Sequence, residues 1–414
     1  MTDRKPMMLH AGGTGRSAPD IIAGEHYRPA LSVNIPIDDR RLTDKNGRAR
    51  MPREHMTARE RWQAVLERRS PDRVPMDWWG TDEAAEGLAR HLGCRDIHEA
   101  LQQLGVDFVV TAEPAFIGPD GSGTRPPVTS AGSTPGTDPF GRVYRTITHS
   151  GGSYEECVNT PLSGFTSVEE IAAEYLWPEP DWWDHGVLTG QVAGFEHYPI
   201  QGGGSEPFLI YKDLRGQEQA FIDLIEHPAI VHYCLEKLFD LAYEHTVRVF
   251  ETLGERVMLC YVAEDMGGQE NLLFSPAHIR EFLLPGMKRI IALAHQAGAY
   301  VFHHNDGAIS AIIPEMIAAG IDILNPIQWR CPGMDRAALK SAHGDRVIFH
   351  GAMDNQHTLP FGTPAEIRRE VEENFALLGA GGGYIPAPCH NVQGNTPPEN
   401  IVAMYESIRE IAYP

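Results

Sequence analysis

The chain has 414 residues, 42% of them hydrophobic, and a formal net charge of −21. That balance argues against a nucleic-acid backbone or another polyanion as partner, because phosphate recognition needs a basic face. No run of about 18 apolar residues is available to cross a membrane, and the opening "MTDRKPMMLHAGGTGRSAPD" lacks the apolar stretch of a signal peptide, so the expected location is the cytoplasm.

Residues 1–55 read as an extension. They are polar, rich in Gly and Arg, and carry neither a helical nor a strand period, so they are expected to be poorly ordered or to wrap over a neighbouring subunit of a homodimer. The character changes at "MTARERWQAVLERRSPDRVPMDWWG", where Thr57 and Glu60 have the spacing of a capping box and open an amphipathic helix. "VPMDWW" and "FVVTAEP" predict strands, "GRVYRTITHSGGSYEECVNTP" an inserted β-hairpin about Gly151 and Gly152, and "TSVEEIAAEY" a helix. A further strand is expected near Tyr198 to Gln201, followed by helical periodicity broken at Pro228.

The second half alternates more clearly. "RVMLCYVAED", "AYVFHHND", "IDILNPI", "RVIFHGAMD" and "YIPAPCHN" predict strands. Between them lie helical stretches capped by Ser275, by Thr363 with Glu366, and by Thr396 with Glu399. Repeated strand–helix units imply a parallel sheet, and eight of them fit a (β/α)8 TIM barrel over residues 56–414, with the N-terminal extension and the hairpin as additions. An open doubly wound sheet is the rival fold, weakened because no Gly-rich phosphate loop follows the first strand; the glycine runs at 202–204 and 381–383 read as turns. The six cysteines are scattered without a Cys-x-x-Cys pair, which excludes a disulfide framework as the organising principle; only Cys389, beside His390, sits among polar residues.

In a barrel, chemistry gathers at the C-terminal ends of the strands. Here those ends supply Asp77 with Trp78 and Trp79, then Glu113, Glu264 and Asp265, His304 and Asp306, His350 and Asp354, and finally Cys389 and His390. Side chains two apart on a strand share a face, so in "FHHND" His304 and Asp306 point one way and His303 and Asn305 the other. With His390 from the last strand, two imidazoles and a carboxylate match an open zinc site, or one for iron or another divalent ion. A hydrogen-bonded His–Asp pair is the alternative.

The chain resembles the uroporphyrinogen decarboxylase superfamily, and within it the cobalamin-linked methyltransferases. The resemblance covers residues 56–414 and rests on "MTARERWQAVLERRSPDRVPMDWW", "WPEPDWWDH", "EDMGGQENLLFSPAHIREFLLPGMKRII", "HNDGAISAIIPEMIAAGIDILNPIQ", "HGAMDNQHTLPFGTPAEIRREV" and "GGGYIPAPCHNVQGNTPPENIVAMYE". It implies a TIM barrel and, in the methyltransferase branch, a zinc ion held by a His-x-Cys-Gly motif and a later cysteine. His304 falls on the motif histidine, Asp306 followed by Gly307 on the first cysteine, and His390 on the later cysteine. Both thiolates are therefore replaced. A harder donor set leaves a metal more Lewis acidic, suited to a substrate oxygen rather than a thiol. The decarboxylase itself binds its many-carboxylate tetrapyrrole through basic residues near the N-terminus, but the matching "VPMDWWGTDEAAEG" is acidic and aromatic, which argues against uroporphyrinogen.

The resulting expectation is a methyltransferase that moves a methyl group between a small O-methyl substrate and a corrinoid carried by a partner protein. His304, Asp306 and His390 hold the metal; Glu264 or Asp265 adds a fourth ligand or orients a histidine; Trp78, Trp79 and Tyr211 form apolar walls. The second reading is a metal-dependent lyase or decarboxylase acting on a small carboxylic acid, which needs no corrinoid. The third is a barrel that binds a ligand without catalysis.

Overall fold

The computed structural model describes residues 54–125, 137–149 and 152–411. The extension expected over residues 1–55 thus lies outside the described residues, apart from Glu54 and His55. In chain order the strands are β1 (Val110–Ala112), β2 (Ala115–Phe116), β3 (Tyr144–His149), β4 (Gly152–Cys157), β5 (Trp183–Asp184), β6 (Ile200–Ser205), β7 (Val257–Ala263), β8 (Tyr300–His304), β9 (Ile323–Asn325), β10 (Ile348–Met353) and β11 (Tyr384–Pro388). Seven of them form one parallel sheet in the order β1-β6-β7-β8-β9-β10-β11, while β3 and β4 make the expected antiparallel hairpin.

The eighth stave is "VPMDWW", and it is extended without being a regular strand. Asp77 N donates to Pro386 O on the β11 side (3.3 Å), and Asp107 N donates to Met76 O just before β1 (2.8 Å). A parallel bridge between Gly80 and Val392 completes the closure of the barrel. Pro75 has no N–H to give a ladder, and the Val109 N–H goes to the Asp77 carboxylate (3.1 Å) rather than to a backbone carbonyl.

Helix α1 (Ala58–Leu66) opens with the capping box of Thr57 and Glu60. It plugs the N-terminal end of the barrel: Trp62, Val65 and Leu66 pack with Met258, Leu259, Phe302, Ile323, Ile348 and Ile385. This inner cluster fixes the register of β8. Phe302 belongs to it and Val301 to the outer core between sheet and helices, so His304 points into the barrel and His303 away from it.

Several boundaries differ from the sequence expectation. The glycine run 202–204 lies inside β6, at a bulge against β7. Gly204 has φ 128°, and a Cβ there would collide with the Tyr261 carbonyl, so the close approach requires glycine. The last helix starts at Pro398 with Pro397 as its cap, so Thr396 and Glu399 form no box. Pro398 holds the residue before it extended and moves the helix start one position on. The helix after Ser275 keeps its expected cap, but residues Ile279–Leu283 widen into a π turn ahead of Pro285, which has no N–H to offer the preceding turn. "AISAIIPEMIAAG" is helical only over Ile313–Ala319, because Pro314 is tolerated only in a first turn.

Candidate metal centre

His304 ends β8 and is 4% exposed. Its ring stacks on Trp79, with centroids 5.4 Å apart and planes 13° apart. Asp306 lies just beyond, with Oδ1 3.9 Å from His304 Nε2 and Oδ2 3.8 Å from His390 Nε2. One ligand atom from each of His304, Asp306 and His390 falls within 4.8 Å of the others, and no other triplet of this kind occurs among the described residues. Asp306 is held by two glycines: a Cβ on Gly307 would strike the Gly268 carbonyl, and one on Gly267 would strike the Asp306 carbonyl.

The donor set fits a divalent cation. Asp306 Oδ1 is buried without a hydrogen-bond partner, 3.9 Å from His304 Nε2, a costly arrangement for a carboxylate oxygen. His304 Nδ1 is engaged with Asn325 Oδ1 at 2.6 Å, leaving Nε2 toward Asp306 and Asp265. Burial opposes a charge on His304, but Asp306, Asp265 and the Asn325 bond outweigh it and raise its pKa. Burial raises the Asp306 carboxyl against the pull of His390 and His304.

The remaining expected residues divide. Asp265 is at the site: Oδ1 lies 3.8 Å from His304 Nε2 and accepts the Asp306 N–H at 3.4 Å. Glu264, expected as an alternative ligand, is turned away. It is 2% exposed, accepts the Phe208 N–H at 3.0 Å, and burial pushes its carboxyl well above the usual range. Trp79 is a wall, stacked on His304 and edge-on to His390 at 6.5 Å. Trp78 packs instead against the outer core. Tyr211, expected as a third aromatic wall, is fully buried in the helix Pro207–Arg215 and donates its hydroxyl to Asp223 at 2.8 Å, away from the cluster.

Cys389 is likewise buried, and its thiol donates to the Ile327 carbonyl at 3.3 Å; His390 is the residue of that pair that joins the cluster. His303, on the other face of β8, donates from Nδ1 to Val262 O at 2.7 Å, and burial lowers it to about 4. Asp354 caps the turn after β10 through the N–H groups of Gln356 and His357 and pairs with Arg330.

Two residues at the mouth escaped the sequence reading. Glu206 follows β6 directly, and burial, with the repulsion of Asp265, pushes its carboxyl up to about 7. Its signal, an acid between a strand and the proline of a helix start, is masked by the glycine run 202–204, which reads as a turn. Tyr261 faces the interior from β7, with its ring centroid 6.0 Å from that of His304.

Comparison with known proteins places this site in a family. Residues 195–411, just over half of the chain, match uroporphyrinogen decarboxylase (URO-D). The uroporphyrinogen decarboxylase of Psychromonas ingrahamii is 27% identical over 223 residues, covering 52% of this chain and 56% of that one. The enzyme of the same name from Aeromonas salmonicida is 26% identical over 221 residues, covering 52% and 55%. The chain thus spans about half the length of the curated relatives it matches. Among solved structures, a methyltransferase from Methanosarcina mazei superposes with a TM-score of 0.59 at 18% identity, covering 86% of this chain and 99% of that one, which establishes a shared fold. No helix among the described residues is long and apolar enough to cross a membrane. Because the family match spans residues 195–411, more than half of its length, the chain belongs to the uroporphyrinogen decarboxylase family.

Proposed function

We propose that the protein is a metal-dependent methyltransferase that takes the methyl group of a small O-methyl substrate and passes it to a corrinoid on a partner protein. The observation that carries this reading is the convergence of His304, Asp306 and His390 at the barrel mouth, with Asp306 Oδ1 left unpaired. These residues would hold the ion, and two imidazoles with a carboxylate are a donor set that zinc accepts with a position left open. When bound, such an ion supplies Lewis acidity toward an ether oxygen.

The chain's own groups do the rest. Trp79 gives the substrate a flat apolar wall and keeps both imidazoles in place. Asp265, against His304 Nε2, completes the donor set or orients it. Cleavage of the methyl–oxygen bond leaves the electron pair on oxygen. Glu206, pushed up to about 7, holds a proton near neutral pH that this oxygen can take. The acidic, aromatic segment around Trp78 and Trp79 offers no cationic cradle for a tetrapyrrole polycarboxylate.

The test is metal analysis of the purified protein, followed by incubation with O-methyl compounds with and without a reduced corrinoid acceptor. Loss of the methyl group only when metal and acceptor are both present is expected. Full activity of a metal-free protein would overturn the metal reading, and carbon dioxide release from a small carboxylic acid without corrinoid would replace the methyltransferase reading by the decarboxylase one.

A further inference from the structure

We infer that Asp77, His350 and Asn325 are positioning residues: a hydrogen-bonded relay inside the barrel that sets which nitrogen of His304 is offered at the mouth. This deepens the proposed metal site and rests on it. The layer below, toward α1, is apolar, built from Leu259, Phe302, Ile323, Ile348 and Ile385. The next layer up is polar yet equally dry: Asp77, His350 and Asn325 are 0% exposed and His304 4%. Barrel interiors are ordinarily filled with branched apolar side chains, and polar groups this deep are costly unless every one is paired.

They are paired in an order that permits one polarity. Asp77 is the fixed end. Its Oδ1 accepts the Val109 N–H at 3.1 Å, its Oδ2 accepts Trp79 Nε1–H at 3.0 Å, and its backbone carbonyl accepts the Tyr405 hydroxyl at 2.8 Å. Oδ2 also lies 3.1 Å from His350 Nε2. A carboxylate already receiving these donors accepts again, so His350 carries its proton on Nε2. His350 Nδ1 is then an acceptor, and Asn325 meets it with its amide nitrogen at 2.7 Å. The Asn325 oxygen is thereby turned to His304 Nδ1 at 2.6 Å, which must be the protonated nitrogen. His304 Nε2 is left with its lone pair, aimed at Asp306 and Asp265. Reversing the Asn325 amide would place the proton on Nε2 and close the site to a cation. The same Asp77 oxygen anchors the Trp79 indole that stacks on His304, so one carboxylate sets both the tautomer and the ring plane.

The test uses the full chain labelled with 15N-histidine and stripped of metal. Long-range 1H–15N spectra, assigned with His304→Gln and followed upward in pH until His304 is neutral, are expected to show it protonated at Nδ1 and bare at Nε2. Asn325→Leu removes the acceptor and should mix the tautomers and weaken zinc binding about 10–100-fold in competition with a chelator. Asn325→Asp removes the donor to His350 but keeps the acceptor for His304, and should retain wild-type zinc affinity. A merely structural role for Asn325 would leave the neutral tautomer of His304 unchanged in Asn325→Leu. Equal loss of zinc in both, or a neutral wild-type His304 protonated at Nε2 and bare at Nδ1, overturns the relay. The wild-type spectrum decides the tautomer even if Asn325→Leu does not fold. A wild type with the expected tautomer that takes no zinc supports the relay and overturns the metal reading instead.

Discussion

The two ends of the barrel solve the problem of buried charge in opposite ways. At the N-terminal end each acid meets an arginine: Arg61 lies 2.6 Å from Asp72 and 3.0 Å from Asp107, and Arg73 also reaches Asp107. Burial opposes the charge on Asp72, but the Arg61 bond and the N–H groups of Met56 and His55 outweigh it and hold the carboxyl down at about 2. At the C-terminal end Asp265 and Asp306 face His304, His390 and one another, with Glu206 close by. There burial prevails, and Glu206 is raised to about 7. One end is neutralised from within; the other carries unmatched acidity that a cation would complete. In TIM barrels the first kind of end serves stability and the second chemistry.

The sharpest way to break this comparison is to exchange the expected defects. His390→Ala should release zinc on dialysis and cut turnover by more than about 100-fold, since loss of a ligand exceeds the loss of an outer partner. Its urea midpoint should stay close to that of the metal-free wild type. Asp72→Ala should do the reverse: zinc retained, but stability down by about 3 kcal/mol, because Arg61 is left buried with a partner missing. A destabilised His390→Ala with zinc still bound would refute the division of labour.

A smaller effect tests the donor set. Asp306→Cys combined with His390→Cys restores thiolates at positions where relatives are expected to carry them. Metal should stay bound, thiols should bind better, and turnover of the oxygen substrate should fall, because thiolate donation reduces the pull on oxygen. Unchanged turnover would show that the harder ligands serve some other end.

The two ends should also separate by pH. Asp72, lowered from 3.8 to about 2, stabilises the fold fully above pH 3.8, and that stability is lost as pH falls toward 2. Glu206, raised from 4.5 to about 7, binds a proton more tightly in the folded state, so stability falls as pH rises from 4.5 to 7 and levels off beyond. Urea midpoints measured across pH should lose the acid limb in Asp72→Asn and the neutral slope in Glu206→Gln. Turnover should decline above pH 7 in the wild type if Glu206 is the proton source.

The barrel was legible because hydrophobic period and helix caps agree along most of the second half: Ser275 and the box of Thr363 with Glu366 stand where the sequence places them. The cluster was legible because strand period alone puts His304 and Asp306 on one face. What sequence could not reveal were contacts made across staves. Nothing local in "VPMDWW", "ILN" or "IFHG" indicates that Asp77, Asn325 and His350 meet. Tyr211 was misplaced because an aromatic near a strand end has no local mark of whether it faces the mouth or the helix layer; Asp223, its partner, sits on the next helix. Glu206 was lost for a different reason, since a glycine run signals a turn unless the bulge that needs it is known.

The smallest expected effect concerns where the stable end begins. Glu54 pairs with Arg61 at 3.3 Å and with Arg73 at 3.2 Å, and the His55 N–H reaches Asp72 at 2.7 Å. We propose that residues 1–53 are not needed for the barrel to fold, because among the described residues Arg61 and Arg73 already pair with Glu54, Asp72 and Asp107. Removing 1–53 should leave the urea midpoint and zinc retention as in the full chain. Removing 1–55 takes away one carboxylate and one backbone donor and should cost about 1 kcal/mol, with Asp72 still held by Arg61 and by the Met56 N–H at 2.9 Å. The small difference between the two truncations, read as a shift in denaturation midpoint, locates the boundary to within two residues. Equal and large losses from both would show that the preceding segment is part of the folded unit.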